Sequence, residues 1–395
     1  MHPTHPSMSY PPLLFPQELV DLIIEHAAED KGSLLSCALT CSSFYPASRR
    51  SLFSQIELDM HTKPNVMTYS ARLNHALTRN PHLLPLIKSV VVKRMFAHER
   101  GSPCFLQQDS DSLEILLKLS HLRQLTLVGH IHKDWALLSP NLRTIIASIC
   151  HSARLEHLTI DSLSNFPAHL LSSCLSLRQL ELTSMSTLCH DSFSTVPNRI
   201  SLESLALNYS DAFGLTKFVS WMFQTGCNVD LSRLRRLIVN VRRQHAYSWC
   251  VLASKTPFLE ELEFSVIVPA SSSPATFNVY RDIELTSFTS IRYLSINFRI
   301  QDLCDCDSLS WAVPQLLRSI PVSSPIERLV LSFSPVPSLR LNKESEKAPP
   351  RKIDIPVARR NFRDLRSCEI YLAGIEAKIE SHLSEILKTF FVSKP

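Results

Sequence analysis

The chain repeats a six-residue phrase, apolar-x-x-apolar-x-apolar, and this phrase limits what it can fold into more than any other feature. The instances are Ile87/Val90/Val92, Leu122/Leu125/Leu127, Leu155/Leu158/Ile160, Leu177/Leu180/Leu182, Leu202/Leu205/Leu207, Leu234/Leu237/Val239, Leu259/Leu262/Phe264, Ile291/Leu294/Ile296 and Ile326/Leu329/Leu331, with a weaker tenth at Leu365/Cys368/Ile370. Successive starts lie 35, 33, 22, 25, 32, 25, 32, 35 and 39 residues apart. The last two apolar positions of each set alternate, as a strand with one buried face requires. The residues before a set often carry helical spacing, as in 113–119 and 142–147. Helix, short turn and strand, repeated about ten times, imply units that bury their apolar faces only by stacking on neighbours. An ordinary α/β domain is the competing architecture. The near-identical stretches Leu122-Arg123-Gln124-Leu125-Thr126-Leu127 and Leu177-Arg178-Gln179-Leu180-Glu181-Leu182 favour a repeat.

The phrase resembles that of leucine-rich repeats. The Asn that such repeats usually carry three residues after the last strand position is missing: His130, Leu163, Met185 and Ser210 stand there. With unit lengths this uneven, the resemblance implies a rough arc with inserted loops. Three stretches read as such loops: 97–110, 268–280 and 334–361, the last rich in Pro and charge. Near the end, Ile375, Ile379, Leu383, Ile386, Leu387 and Phe390 share one helical face, a suitable cap for the last unit.

The first sixty residues differ. They carry three Lys/Arg against seven Asp/Glu, whereas the chain as a whole has a net charge of +5. Residues 1–12 are rich in Pro, His and Ser and read as a disordered tail. Pro16 then suits a first helical turn, Glu18 and Asp21 lie near the positive end of its dipole, and Leu19, Leu22, Ile23 and Ala27 share one face. Gly32 is expected to end this unit and Ser33 to cap a second helix reaching Cys41. Pro46 opens a third that reaches Leu52-Phe53. Three short helices in about forty residues bury too little surface to be comfortable alone. The second, Leu34-Leu35-Ser36-Cys37-Ala38-Leu39-Thr40-Cys41, is apolar nearly all round and calls for a partner.

The order Phe15-Pro16-x-Glu18-Leu19, Leu35-x-Cys37-Ala38-Leu39-x-Cys41, Phe44, Arg49-Arg50-x-Leu52-Phe53 is similar to the F-box pattern. Two positions depart from it: Phe15 replaces the usual Leu, and Phe44 stands where the family usually has Trp. The resemblance implies that residues 13–54 dock on an SKP-family adaptor, itself bound to a cullin and a RING subunit. Carried over residue by residue, it assigns docking to Phe15, Pro16, Glu18, Leu19, Ile23, Leu34, Leu35, Cys37, Ala38, Leu39, Cys41 and Phe44. A helical cap without a partner is one alternative. A helix-turn-helix DNA reader is another, but the segment is acidic and its second helix lacks side chains for base edges. The expected fold class is therefore α/β: an N-terminal three-helix F-box, then an irregular leucine-rich-repeat-like solenoid over 55–395 with a C-terminal capping helix.

No motif of known catalytic or cofactor chemistry stands in the sequence. Six glycines leave no phosphate-cradling loop, and neither G-x-G-x-x-G nor G-x-x-x-x-G-K-[ST] occurs. The sixteen histidines form no set with ligand spacing, and the one local cluster, Asp302, Cys304, Asp305, Cys306 and Asp307, reads as a solvated acidic turn. The eleven cysteines include no C-x-x-C, and no hydrophobic signal segment opens the chain. Reduced thiols in the cytoplasm or nucleus are expected. No apolar run is long enough for a membrane span. The densest basic stretch holds Arg233, Arg235, Arg236, Arg242 and Arg243. Of these, Arg233, Arg235 and Arg243 are candidates to grip an acidic substrate, against a plain solvent-facing strand as the alternative.

The combined expectation is a non-enzymatic adaptor without cofactor, metal, nucleic-acid or membrane partner. Its first module docks on the SKP-family adaptor, and through it the cullin–RING ligase, while the repeats hold an unknown protein substrate. The mechanism would be proximity, which raises the effective concentration of substrate lysines. The alternative is a repeat-based interaction scaffold with no role in ubiquitin transfer.

Overall fold

The computed structural model describes residues 16–27, 30–60, 69–95, 110–152, 154–184, 188–189, 199–208, 212–224, 227–241, 252, 255–268, 285, 289–300, 313–314, 316–320, 324–335, 351–353, 364–373 and 377–392. Three helices come first: α1 (Gln17–His26), α2 (Lys31–Thr40) and α3 (Tyr45–Ser54). The cap of α2 is Asp30, whose carboxylate accepts from the Gly32 N–H at 2.9 Å and the Ser33 hydroxyl at 2.6 Å. Gly32 and Ser33 therefore lie inside the first turn, not at the boundary expected of them, because a carboxylate on the preceding residue already satisfies the free N–H groups. Pro46 sits in the first turn of α3. The three helices share a small core of Val20, Ile24, Leu34 and Ala47, with Ala27, Cys37, Phe44 and Leu52 packed against it. Arg50 on α3 pairs with Asp21 on α1 at 2.9 Å.

Helix α3 runs without a break into β1 (Gln55–Asp59). The helices α4 (Tyr69–Arg79), α5 (Ser110–Lys118), α6 (Pro140–Cys150), α7 (Ala168–Ser173) and α8 (Ala212–Met222) then alternate with strands. The strands are β2 (Ser89–Lys93), β3 (Gln124–Asp134), β4 (His157–Ser164), β5 (Phe166–Pro167), β6 (Gln179–Thr183), β7 (Leu188–Cys189), β8 (Ile200–Ser201), β9 (Ser204–Asn208), β10 (Val229–Asp230), β11 (Arg236–Val241), β12 (Glu261–Val268), β13 (Tyr293–Ile300), β14 (Arg328–Pro335), β15 (Arg351–Ile353) and β16 (Ser367–Leu372). Helix α9 (Ala377–Val392) follows. One twelve-stranded sheet dominates, ordered β1-β2-β3-β4-β6-β9-β11-β12-β13-β14-β16-β15. Strands from β1 to β16 pair parallel in chain order, and β15 adds antiparallel to β16 at the edge. Two small parallel pairs, β5–β7 and β8–β10, complete the described strands. The fold is mixed α/β around this large parallel sheet.

Register explains the repeated phrase. The fourth position of each set forms one ladder, Ile56, Val90, Leu125, Leu158, Leu180, Leu205, Leu237, Leu262, Leu294, Leu329 and Cys368. The sixth position forms a second, Leu58, Val92, Leu127, Ile160, Leu182, Leu207, Val239, Phe264, Ile296, Leu331 and Ile370. Every residue of both ladders is buried except half-buried Cys368, and the first positions, from Ile87 to Leu365, are buried as well. One core thus runs across the sheet, since the pleat sends alternate side chains to the same side. At β12–β16 a third ladder of Val266, Phe298, Phe333 and Leu372 thickens it, with the Phe298 and Phe333 rings stacked 4.9 Å apart. The structure adds an eleventh instance of the phrase, Phe53/Ile56/Leu58, where Phe53 on α3 packs on this core and leads into β1.

Other expectations shift in detail. Residues 334–361 were expected to form a single loop, but Arg351–Ile353 forms strand β15, too short and too polar for its periodicity to signal a strand. The other loops, 97–110 and 268–280, lie outside the described residues apart from Ser110, which starts α5, and Val268, which ends β12. The tail 1–12 lies outside them too. Helix α9 buries Leu383 and Leu387 against the main core and Ile386 partly so, while Ile375 of the expected face lies outside the described residues. Gly129 lets β3 approach β4, because a Cβ there would sit 2.4 Å from the Ser162 carbonyl oxygen. Among the described residues no helix is long and apolar enough to cross a membrane.

A second column runs beside the core at the residue that follows each first apolar position. Its members are Lys88, Arg123, Glu156, Arg178, Glu203, Arg235, Glu260, Arg292, Glu327 and Arg366. From Lys88 to Glu327 each carbonyl accepts two N–H groups from the start of the next strand, as Arg178 does from Glu203 at 2.8 Å and Ser204 at 3.0 Å. These bonds stack the column in order. From Arg123 onward its charges alternate without exception.

Candidate functional site

The amphipathic pattern of α1 resolves into two opposite roles. Val20 and Ile24 face the small core, whereas Leu19, Leu22 and Ile23 are exposed. On α2, Leu34 is 0% exposed, but Leu35 is open and Leu39 is 88% exposed. Pro16 and Glu18 are exposed at the start of α1. Two consecutive helices, each packed on α3, therefore present five large aliphatic side chains to the outside while three residues of the same helices hold the unit together. Single exposed aliphatics are ordinary, but a set of five on two short helices is the composition of a contact surface.

The twelve expected docking residues divide accordingly. Pro16, Glu18, Leu19, Ile23, Leu35 and Leu39 are outward-facing. Leu34 is a core residue and cannot serve a partner without unfolding its own module. Cys37 and Phe44 are half-buried against the small core, so they shape the surface from beneath. Ala38 and Cys41 are half-buried, and Phe15 lies outside the described residues. Leu22 was grouped with the apolar face of α1 by its spacing but not assigned to docking. Its exposure adds it to the surface.

The surroundings of this surface are polar and ordered. The Gln17 amide and then Arg50 hold the Asp21 carboxyl below its ordinary range. The Ser33 hydroxyl and the Gly32 N–H do the same for Asp30 at the α2 cap. Cys41 lies just past α2 with its Sγ 2.8 Å from the Ser43 hydroxyl, and bonds from Ser43 and the Phe44 N–H lower its thiol pKa.

The basic stretch does not form the expected row of arginines on a strand. Arg233 lies in the turn before β11, Arg235 just before the strand, and Arg243 outside the described residues. Arg236 does begin β11, but it pairs with Glu261 at 3.5 Å. Arg235 stands in the charge column between Glu203 and Glu260. Glu261 thus offsets the charge of Arg236, while Arg233 and Arg235 are exposed beside it. Trp221, close by in sequence, is core, tilted against Phe218 at 5.6 Å.

On the sheet face turned away from the core, β13–β16 carry a polar and aromatic cluster. Arg328 lies over the Tyr293 ring at 5.4 Å and pairs with Glu369 at 3.2 Å, and the Tyr371 hydroxyl donates to Glu369 at 2.6 Å. The Tyr371 bond and then Arg328 lower the Glu369 pKa. Sequence spacing gave no sign of this group, because its members come from three strands. Among the described residues no group of three or more His, Cys, Asp or Glu is arranged to hold a metal ion. Compared with known proteins, the chain matches no family model and no curated protein sequence.

Proposed function

We propose that the chain is a substrate-receptor adaptor of an SCF-type cullin–RING ubiquitin ligase. In this reading residues 13–54 act as an F-box that docks on an SKP-family adaptor. The units after it form an irregular, leucine-rich-repeat-like solenoid that carries the protein substrate in the cytoplasm or nucleus. No step of the chemistry belongs to this chain, which acts by holding substrate lysines near a loaded ubiquitin carrier.

The observation that supports this most is the outward apolar set Leu19, Leu22, Ile23, Leu35 and Leu39 on a module whose own core is only four residues deep. Such a unit leaves much of its apolar surface unburied, and covering it with a partner removes that cost. The test is reconstitution with a purified SKP-family adaptor and cullin. Wild type should form the complex, and the Pro16→Ala, Leu19→Ala double variant should not. A wild-type protein that is folded yet binds neither component would overturn the reading.

A further inference from the structure

We infer that the alternating charge column from Arg123 to Arg366 specifies which strand unit stacks beside which. The need for such a device follows from the core. Its two main ladders are almost entirely Leu, Ile and Val, so one unit fits beside any other about equally well. Unit lengths of 22 to 39 residues give no regular spacing that would exclude a skipped neighbour. The column supplies what the core lacks. From Glu156 to Glu327 each charge has an opposite charge on both sides, and skipping one unit would put like charges together.

Ion pairs form at both ends of the column and within it, and Glu327 is shared between two arginines. Arg123 lies 3.6 Å from Glu156, Arg178 lies 3.3 Å from Glu203, and Glu327 lies between Arg292 at 3.9 Å and Arg366 at 3.3 Å. Each of these side chains is partly exposed, so each pair alone contributes little. Specificity arises from their sum and from the repulsion that a wrong neighbour meets. Wild type has one like-charged step, Lys88 beside Arg123, where the alternation begins. Because adjacent strands lie about 4.8 Å apart, charges at this position interact most strongly with the nearest units.

The experiment counts like-charged steps in the full chain at low salt and about pH 8, using urea unfolding. Glu203→Arg adds two such steps, against Arg178 and Arg235, and should lower the midpoint by about a few tenths of a molar unit. The swap Arg178→Glu with Glu203→Arg restores that one pair but creates Glu beside Glu156 and Arg beside Arg235, so it should lose about as much. The block inversion Arg123→Glu, Glu156→Arg, Arg178→Glu, Glu203→Arg only moves the single like-charged step from 88/123 to 203/235. It should return close to wild type despite four changes. In 1 M NaCl, where the Debye length is about 3 Å, the differences should collapse. A swap that rescues fully would show independent pairs and overturn the inference, as would a block inversion worse than the swap. No effect from any variant would overturn it too.

Discussion

Leu34 and Leu39 stand five residues apart on one helix, and the structure assigns them opposite duties. Leu34 is 0% exposed and Leu39 is 88% exposed. Leu34→Ala removes a core side chain from a unit with four buried core residues. Such a truncation costs about 3 kcal/mol, within a usual range of about 2–5. A module of about forty residues has a net stability of only about 2–6 kcal/mol. The variant should therefore loosen α1 and α2, while the sheet core, which Leu34 does not join and on which α3 also packs through Phe53, stays folded. Leu39→Ala removes almost nothing from the folded state. If Leu39 is covered on docking, its burial is worth about 2 kcal/mol, so the variant should bind the adaptor about 30-fold more weakly. Hydrogen exchange of the three helices reports the first effect and calorimetric titration with the adaptor the second. The expected pattern is crossed: faster exchange for Leu34→Ala, and native exchange with weakened binding for Leu39→Ala. Equal acceleration of exchange by both variants would refute the division into core and contact residues. Unchanged affinity of Leu39→Ala, with wild type binding, would remove Leu39 from the contact.

Four other outcomes are expected. Gly129→Ala should lower thermal stability measurably by calorimetry, since the added Cβ meets the backbone of β4 at 2.4 Å and no flexible side chain is there to give way. Phe298→Ala should cost about 3–5 kcal/mol in urea unfolding, because it empties a fully buried ring stacked on Phe333. The lowered pKa of Glu369 contributes stability that is fully present above its ordinary value of 4.5 and is lost as pH falls through the lower folded-state value. Unfolding followed from pH 6 to pH 3 should therefore show a smaller acid loss in Glu369→Gln. Among the described cysteines, Cys41 should react first with iodoacetamide near pH 7.5, by mass spectrometry, because its thiol pKa is lowered. Cys368, pushed up to about 12 by burial and then by Glu369, should resist, as should fully buried Cys150 and Cys174.

What the sequence disclosed follows from what periodicity can carry. The apolar phrase was legible because a parallel strand must repeat it wherever a core runs underneath, and its ten instances fall on ten neighbouring strands. The eleventh, at Phe53, is masked in the sequence because one residue belongs to the last turn of a helix of the first module and begins the strand phrase. In the sequence Leu34 reads as a partner contact, because a helix apolar all round does not say which side faces inward; only the positions of α1 and α3 decide that. The charge column was hidden by uneven unit lengths. Its members stand 22 to 39 residues apart, and the alternation emerges only when the units are aligned on their first apolar residue. Of the arginines of 233–243, Arg233 lies in a turn and Arg236 begins β11 and pairs with Glu261, whereas Arg242 and Arg243 lie outside the described residues.

The junction at α3 bears on how such a chain would work. Ala47 and Leu52 of this helix pack on the small core, and Phe53 packs on the large one. The next residues enter β1, and the Ser54 carbonyl accepts the Lys88 N–H at 2.8 Å. A single helix therefore takes part in both cores, with no linker between module and sheet. Proximity transfer depends on geometry: a flexible tether would spread a bound substrate over a large volume, whereas a continuous helix–strand joint sets one direction from the contact surface on α1–α2 to the sheet. The twelve-stranded sheet extends that direction strand by strand. An error in which unit stacks beside which would shift everything beyond it, so a column that penalises wrong neighbours protects reach as well as stability.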